Sequence, residues 1–171
     1  MFHAWPSIAE RHFKFLALVI CLVAASSVWS DSASLEPSDS DSIQDHLVAG
    51  TWNVVMIWAH DCVACNQEAA DYSALHSRHT GKTAEVLGIS MDGKDFRAEA
   101  RKFVERHNLT FPSLLLEPAE LVSYYEFMTQ TPWVGTPSFM IFDPQGNLAA
   151  KQAGAIPAQL IDQFLEQYKD S

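Results

Sequence analysis

The sequence predicts an α/β fold in which a central mixed sheet is flanked by helices. Three observations carry that expectation. Short apolar runs with β-branched residues alternate with longer amphipathic segments. The earlier runs are separated by stretches long enough for helical crossovers, which parallel strands require. The last two runs are joined by Asp143-Pro144-Gln145-Gly146, which suits a tight turn between antiparallel strands.

The elements follow in chain order. Arg11 and Lys14 precede the apolar run Phe15–Ala25, and Ser26, Ser27 and Ser30 follow it. Residues 1–30 therefore read as a signal peptide or membrane anchor. The run is shorter than the roughly 20 residues of a membrane span, which favours a cleaved leader over a retained anchor or a buried helix. Cys21 follows Ile20 inside the apolar run, so it lacks the setting of a lipidated cysteine. Residues 31–45 are rich in Ser and Asp and read as a flexible linker. The folded domain is placed at 46–171, with His46–Gly50 as a transition into the first strand.

Val54–Trp58 is continuously apolar and fits a strand covered on both faces. Cys62–His79 carries Ala64, Ala69, Tyr72 and Leu75 at roughly helical spacing, with Asp61 placed to cap the helix. Gly81-Lys82 ends it. Ala84–Ser90 is the next strand, and Asp95–His107 is an amphipathic helix built on Phe96, Ala100, Phe103 and Val104. Pro112–Leu116 is a short strand. Pro118–Phe127 is a helix opened by proline, with Glu120 in its first turn. Ser138–Phe142 is a core strand, Asn147–Gln152 returns beside it, and Pro157–Tyr168 closes the chain as a helix.

At 171 residues and 48% hydrophobic, the chain suits one globular domain plus an apolar leader. It has 11 basic and 21 acidic residues and no basic stripe, so nucleic acid is not an expected partner. A membrane is a partner only if the leader is retained.

Cys62-Val63-Ala64-Cys65 is the chemically informative motif. Four uses compete. Structural zinc needs further ligands at suitable spacing, and no second cysteine pair exists. A c-type haem needs histidine directly after the second cysteine, where Asn66 stands. A structural disulfide here closes a very small loop and restrains the unfolded chain little. Redox exchange fits best, and no cofactor or metal is expected. Cys62 at a helix N-terminus gains a stabilised thiolate, and Cys65, nearly one turn further in, can attack a mixed disulfide. His60 and Asp61 flank Cys62 and pull its acidity in opposite directions. Glu68, three residues past Cys65, is placed to carry a proton if it is partly buried. Gly135-Thr136-Pro137 leads into a core strand, where exposed backbone offers a docking edge for an extended peptide.

With these landmarks the chain resembles the thioredoxin superfamily, and within it the exported TlpA/ResA-like thiol–disulfide oxidoreductases. The resemblance covers about residues 44–168. It rests on Trp58-Ala59 running into the dithiol, Glu68, Phe111-Pro112, Gly135-Thr136-Pro137 and the Asp143–Gly146 turn. It implies a thioredoxin-like fold, to which this chain adds an extra helix–strand segment before the cis-proline loop. It also implies Cys62 as nucleophile, Cys65 as resolving cysteine, Glu68 as a tuning or proton-transfer group and Pro137 in cis. Thr136, Pro137, Trp58, His60 and Asp61 are the expected substrate-docking residues. The implied partners are cysteine-containing proteins and an upstream redox partner, with a membrane thiol transporter as one candidate. The implied location is periplasmic or otherwise extracytoplasmic. The direction leans to reductase, with a thiol oxidase or a non-catalytic binding module as alternatives. Two departures stand out: Asp61 replaces the usual tryptophan before the first cysteine, and no proline lies between the cysteines.

Overall fold

A computed structural model describes residues 34–40 and 43–168. The leader, Cys21, the start of the linker and residues 169–171 lie outside the described residues. Among the described residues no helix is long and apolar enough to cross a membrane.

The strands are β1 (Leu35–Pro37), β2 (Trp52–Trp58), β3 (Ala84–Ser90), β4 (Ser113–Leu115), β5 (Ser138–Phe142) and β6 (Leu148–Ala153). The helices are α1 (Val63–His79), α2 (Arg97–Arg106), α3 (Pro118–Thr129) and α4 (Ala158–Glu166), with 3-10 turns at Gln44–His46 and Lys94–Phe96. The strands form one six-stranded sheet in the order β1-β4-β3-β2-β5-β6. β1, β4, β3 and β2 run parallel, and β5 and β6 add as an antiparallel pair. The mixed sheet expected from the connection lengths is present, and its helices fall on both faces.

Strand β2 is the axis of the domain. Every one of its residues is buried. Trp52, Val54, Met56 and Trp58 face a cluster with α1, α2 and α4, whereas Val55 and Ile57 face α3 and the buried Ile43. That is the two-residue alternation of a strand covered on both sides. Trp58 stacks on Phe103 of α2 with ring centroids 4.3 Å apart, and Tyr72 of α1 stacks on Phe139 of β5 at 4.9 Å. The Tyr72 hydroxyl donates to the Ile156 carbonyl at 3.0 Å, tying α1 to the approach to α4. Further along, Arg78 and His79 both bond Asp162 of α4, at 2.9 and 2.6 Å. Burial opposes the Asp162 charge, but these hydrogen bonds and the neighbouring positive charges outweigh it and hold the carboxyl below its ordinary range.

The structure changes the expected linker. Leu35–Pro37 is a strand on β4, and Ser113 N–H donates to the Ser34 carbonyl at 2.8 Å. Ser40 N–H donates to Glu120, Gln44 bonds the Tyr124 hydroxyl at 2.8 Å, and Ile43 is wholly buried. The described residues from Ser34 onward form one compact unit. A strand of three residues has no detectable period, and Pro37 is tolerated because β1 lies at the sheet edge. Polar composition therefore concealed an ordered edge. Other boundaries move by a residue or two, and α3 runs on to Thr129 before Gln130 ends it in the left-handed conformation at φ 53°.

Gly88 in β3 is required by close approach. A Cβ there would lie 2.3 Å from Ser113 Oγ and 2.9 Å from the Trp58 indole nitrogen. Both atoms are buried without a hydrogen-bond partner among the described residues. We expect Gly88→Ala to destabilise the fold by about 1–3 kcal/mol through overpacking. Denaturant unfolding measures this, and an unchanged midpoint would contradict the packing described.

Candidate functional site

The site forms where β2 turns into α1. The Cys62 N–H donates to the Ala59 carbonyl at 3.2 Å, closing a tight turn through His60 and Asp61. Helix α1 begins at Val63, so the residue that caps it is Cys62. The Cys62 sulfur accepts the Cys65 N–H at 3.1 Å. Asp61, expected to cap the helix, lies one residue too early and is exposed. The correction matters chemically. The capping atom is the Cys62 sulfur itself, set at the positive end of a 17-residue helix. That setting favours a thiolate at Cys62 in the reduced protein.

Cys62 and Cys65 are joined as a disulfide with an S–S distance of 2.08 Å. The two sulfurs are unequal. Cys62 is half-buried, whereas Cys65 is fully buried against the core. Of the two, Cys62 is the more accessible. Val63, between them, is 73% exposed and presents an apolar surface beside the pair.

Glu68 lies three residues beyond Cys65, on the same side of α1. It is half-buried, and its Oε2 is buried with no hydrogen-bond partner among the described residues. Burial, aided by the Asp71 charge, pushes its carboxyl above the ordinary 4.5. A carboxyl kept partly dry and unpaired is suited to holding and releasing a proton near the buried thiol.

The loop before β5 approaches from the other side. The Thr136–Pro137 peptide bond is cis, as the resemblance implied. Strand β5 pairs antiparallel with β2, and Ser138 stands opposite Ile57. This register brings Pro137 to the end of the sheet where β2 enters the dithiol turn. Pro137 is buried and its carbonyl is occupied by the Gly154 N–H at 2.8 Å, leaving Thr136, half-buried, as the more accessible residue of the pair. Val134 just upstream is 72% exposed, and Trp133 packs edge-on against Tyr125 at 5.0 Å. Trp58 was expected at the docking surface. It is fully buried against Phe103, so it supports the site from within and contacts no partner.

His60 stays at the site, but its partner lies in another element. The buried Asp92 carboxylate accepts the His60 backbone N–H at 3.0 and 3.2 Å and meets the ring Nδ1 at 2.6 Å. Ser90 Oγ donates to the other carboxylate oxygen at 2.6 Å. The His60 ring also stacks on Phe96 with centroids 5.4 Å apart. On the opposite side, Asn66 donates to the carbonyls of His60 and Cys62 at 3.1 and 2.8 Å. Its side-chain oxygen meets Arg106 Nη2 at 2.7 Å and His107 Nε2 at 2.9 Å, both at the end of α2. Burial and the Arg106 charge lower the His107 pKa.

Neither Asp92 nor the clamping role of Asn66 was found from the sequence. A signal for Asp92 existed: it follows the carboxyl end of a strand parallel to β2, where open α/β sheets collect their sites. Donor atoms of His60, Asp61 and Asp92 lie within 4.8 Å of one another. The Asp92 oxygens are already engaged by His60 and Ser90, so the trio is a hydrogen-bond network first.

Comparison with known proteins agrees with this geometry. A profile of the AhpC/TSA family matches residues 32–151. The thiol-disulfide oxidoreductase ResA of Halalkalibacterium halodurans is 18% identical over 135 residues, covering 79% of this chain and 72% of its own. The sporulation thiol-disulfide oxidoreductase A of Bacillus subtilis is 18% identical over 119 residues, covering 69% and 68%. The crystal structure of a thiol:disulfide interchange protein from Chlorobium tepidum superposes with a TM-score of 0.61 at 17% identity, over 69% of this chain and 79% of that one. On this fold and this match, the chain belongs to the AhpC/TSA family and has a thioredoxin-like architecture.

Proposed function

We propose that the protein is an exported thiol–disulfide oxidoreductase that reduces disulfides in other proteins outside the cytoplasm. One observation carries the chemistry: a half-exposed sulfur caps a helix and is bonded to a second sulfur that is wholly buried. This asymmetry supports Cys62 as the attacking group and Cys65 as the resolving one.

In the reducing direction the Cys62 thiolate attacks one sulfur of a partner disulfide. The partner S–S bond breaks, and its other sulfur leaves as a thiolate and takes a proton. Cys65 then gives up its proton and attacks the Cys62 sulfur of the mixed disulfide. The second partner thiol leaves, the Cys62–Cys65 bond closes, and two electrons have passed to the partner. Glu68 is the group placed to receive the Cys65 proton. Thr136, Val134 and Val63 offer the docking edge, with His60 and Asp61 at its rim. An upstream dithiol protein, with a membrane thiol transporter as the candidate, restores the reduced state. Export is supported by the basic residues, apolar run and serines of residues 1–30, which anchor the domain if they are not cleaved.

A Cys65→Ser variant is expected to accumulate mixed disulfides through Cys62, detected as partner adducts on non-reducing gels. Adducts that form and dissolve as in the native protein would remove Cys65 from the resolving role. No adducts at all would favour a non-catalytic binding module.

Direction is tested by equilibrium with glutathione. A reductase is expected well below about −180 mV, and a value near about −120 mV would make the protein an oxidase.

For Glu68 the sign is definite. A carboxyl whose folded pKa is raised above 4.5 weakens the fold as pH rises through that folded value. Glu68→Gln is therefore expected to raise Tm at neutral pH, with the gain vanishing below the ordinary glutamate range. The same variant is expected to slow release of the mixed disulfide and flatten its pH dependence. Unchanged release kinetics would leave Glu68 without a part in proton transfer.

A further inference from the structure

Glu68 serves the buried thiol, which leaves the outer thiol without an assigned proton acceptor. His60 lies two residues before Cys62, in the turn closed by the Cys62 N–H and the Ala59 carbonyl. A lone histidine at such a place is ordinary surface. This one is built in. Its Nδ1 is held at 2.6 Å by a carboxylate whose side chain is only 4% exposed. That carboxylate also accepts the His60 backbone N–H and the Ser90 hydroxyl. Phe96 covers one face of the ring, and Asn66 pins the His60 carbonyl. Its ring, backbone N–H and carbonyl are all held, although it sits in a surface turn.

A carboxylate is acceptor-only, so the shared proton on a neutral ring belongs to Nδ1. The unprotonated nitrogen is then Nε2. In solution the neutral ring favours the opposite form, so the Asp92 contact selects a tautomer. We propose that Asp92 is a positioning residue that fixes His60 with Nε2 free, making His60 the base for the Cys62 thiol, separate from Glu68 at Cys65. This rests on the exchange reading above and deepens it.

The step balances without any further reagent. The Cys62 S–H bond breaks and its proton passes to Nε2. The sulfur pair attacks the partner disulfide, the partner S–S bond breaks, and the leaving sulfur collects the proton from the imidazolium. The charged groups clustered with His60 are Asp92 from the segment after β3 and Asp61 on its own turn. Phe96 on the 3-10 turn before α2 is apolar, and Asn66 on α1 is neutral. Arg106 and His107 of α2 reach Asn66, so the turn also senses that helix.

The test uses the reduced full chain. Nitrogen-15 NMR at alkaline pH is expected to show neutral His60 protonated at Nδ1, and Asp92→Asn is expected to shift it to Nε2. His60→Ala is expected to slow reaction with a small aromatic disulfide at neutral pH by at least about tenfold, and added imidazole is expected to restore part of the rate. A wild-type ring protonated at Nε2, an unchanged His60→Ala rate, or a slowed rate that imidazole does not rescue would each overturn the assignment. If Asp92→Asn fails to fold, the wild-type tautomer and the His60→Ala rates still decide it. Adducts that persist in Cys65→Ser while His60→Ala leaves the rate unmoved would overturn this inference alone; loss of the adducts would overturn the exchange reading itself.

Discussion

The whole site depends on how the chain passes from β2 into α1 with no slack. Trp58 ends a strand that is buried on both faces, and Val63 starts a helix only a few residues later. The turn between them must leave Cys62 at the helix mouth and Cys65 in the core. Two side chains outside the turn hold it there. Asp92, beyond the end of β3, grips His60 from one side. Asn66 grips the carbonyls of His60 and Cys62 from the other and is backed by α2. Each bond is worth about 1 kcal/mol or somewhat more where charge is involved, and their main effect is geometric.

The rest of the fold serves that junction. The parallel register of β2 and β3 places Ser90 opposite Trp58, so the Asp92 segment arrives beside the turn. The antiparallel register of β2 and β5 brings the cis-proline loop to the same end. Trp58 stacked on Phe103 fixes α2 against the sheet, and α2 in turn delivers Arg106 and His107 to Asn66. Gly88 is glycine because the indole and Ser113 leave no room there. The bonds from Arg78 and His79 to Asp162 lie at the far end of α1 and anchor the helix whose other end carries the chemistry.

Much of this was legible in the residues. Short runs rich in apolar residues mark β2, β3, β4 and β5, and helical spacing marks α1, α2 and α4. The dithiol, Glu68 and the Thr136–Pro137 loop could be named because their chemistry depends on local spacing. What escaped depends on tertiary contact. Leu35–Pro37 becomes a strand only by pairing with β4, which no local period reveals. Asp92 becomes a site residue only because parallel pairing carries it to His60. Asp61 looked like a helix cap because aspartate commonly is one, yet the helix begins one residue later and the sulfur takes that position. Trp58 looked like a surface for partners, and its ring instead supports the site from within.

The two sulfurs are unequal: Cys62 faces outward at the helix mouth, and Cys65 is buried in the core. The most direct measurement is limiting alkylation of the reduced protein across pH, followed by peptide mapping of the labelled cysteine. The account predicts label on Cys62 well below the pH at which an ordinary thiol, with a pKa of about 8.5, reacts, with Cys65 unlabelled until the protein unfolds. Equal labelling of both cysteines, or label on Cys65 first, would contradict it.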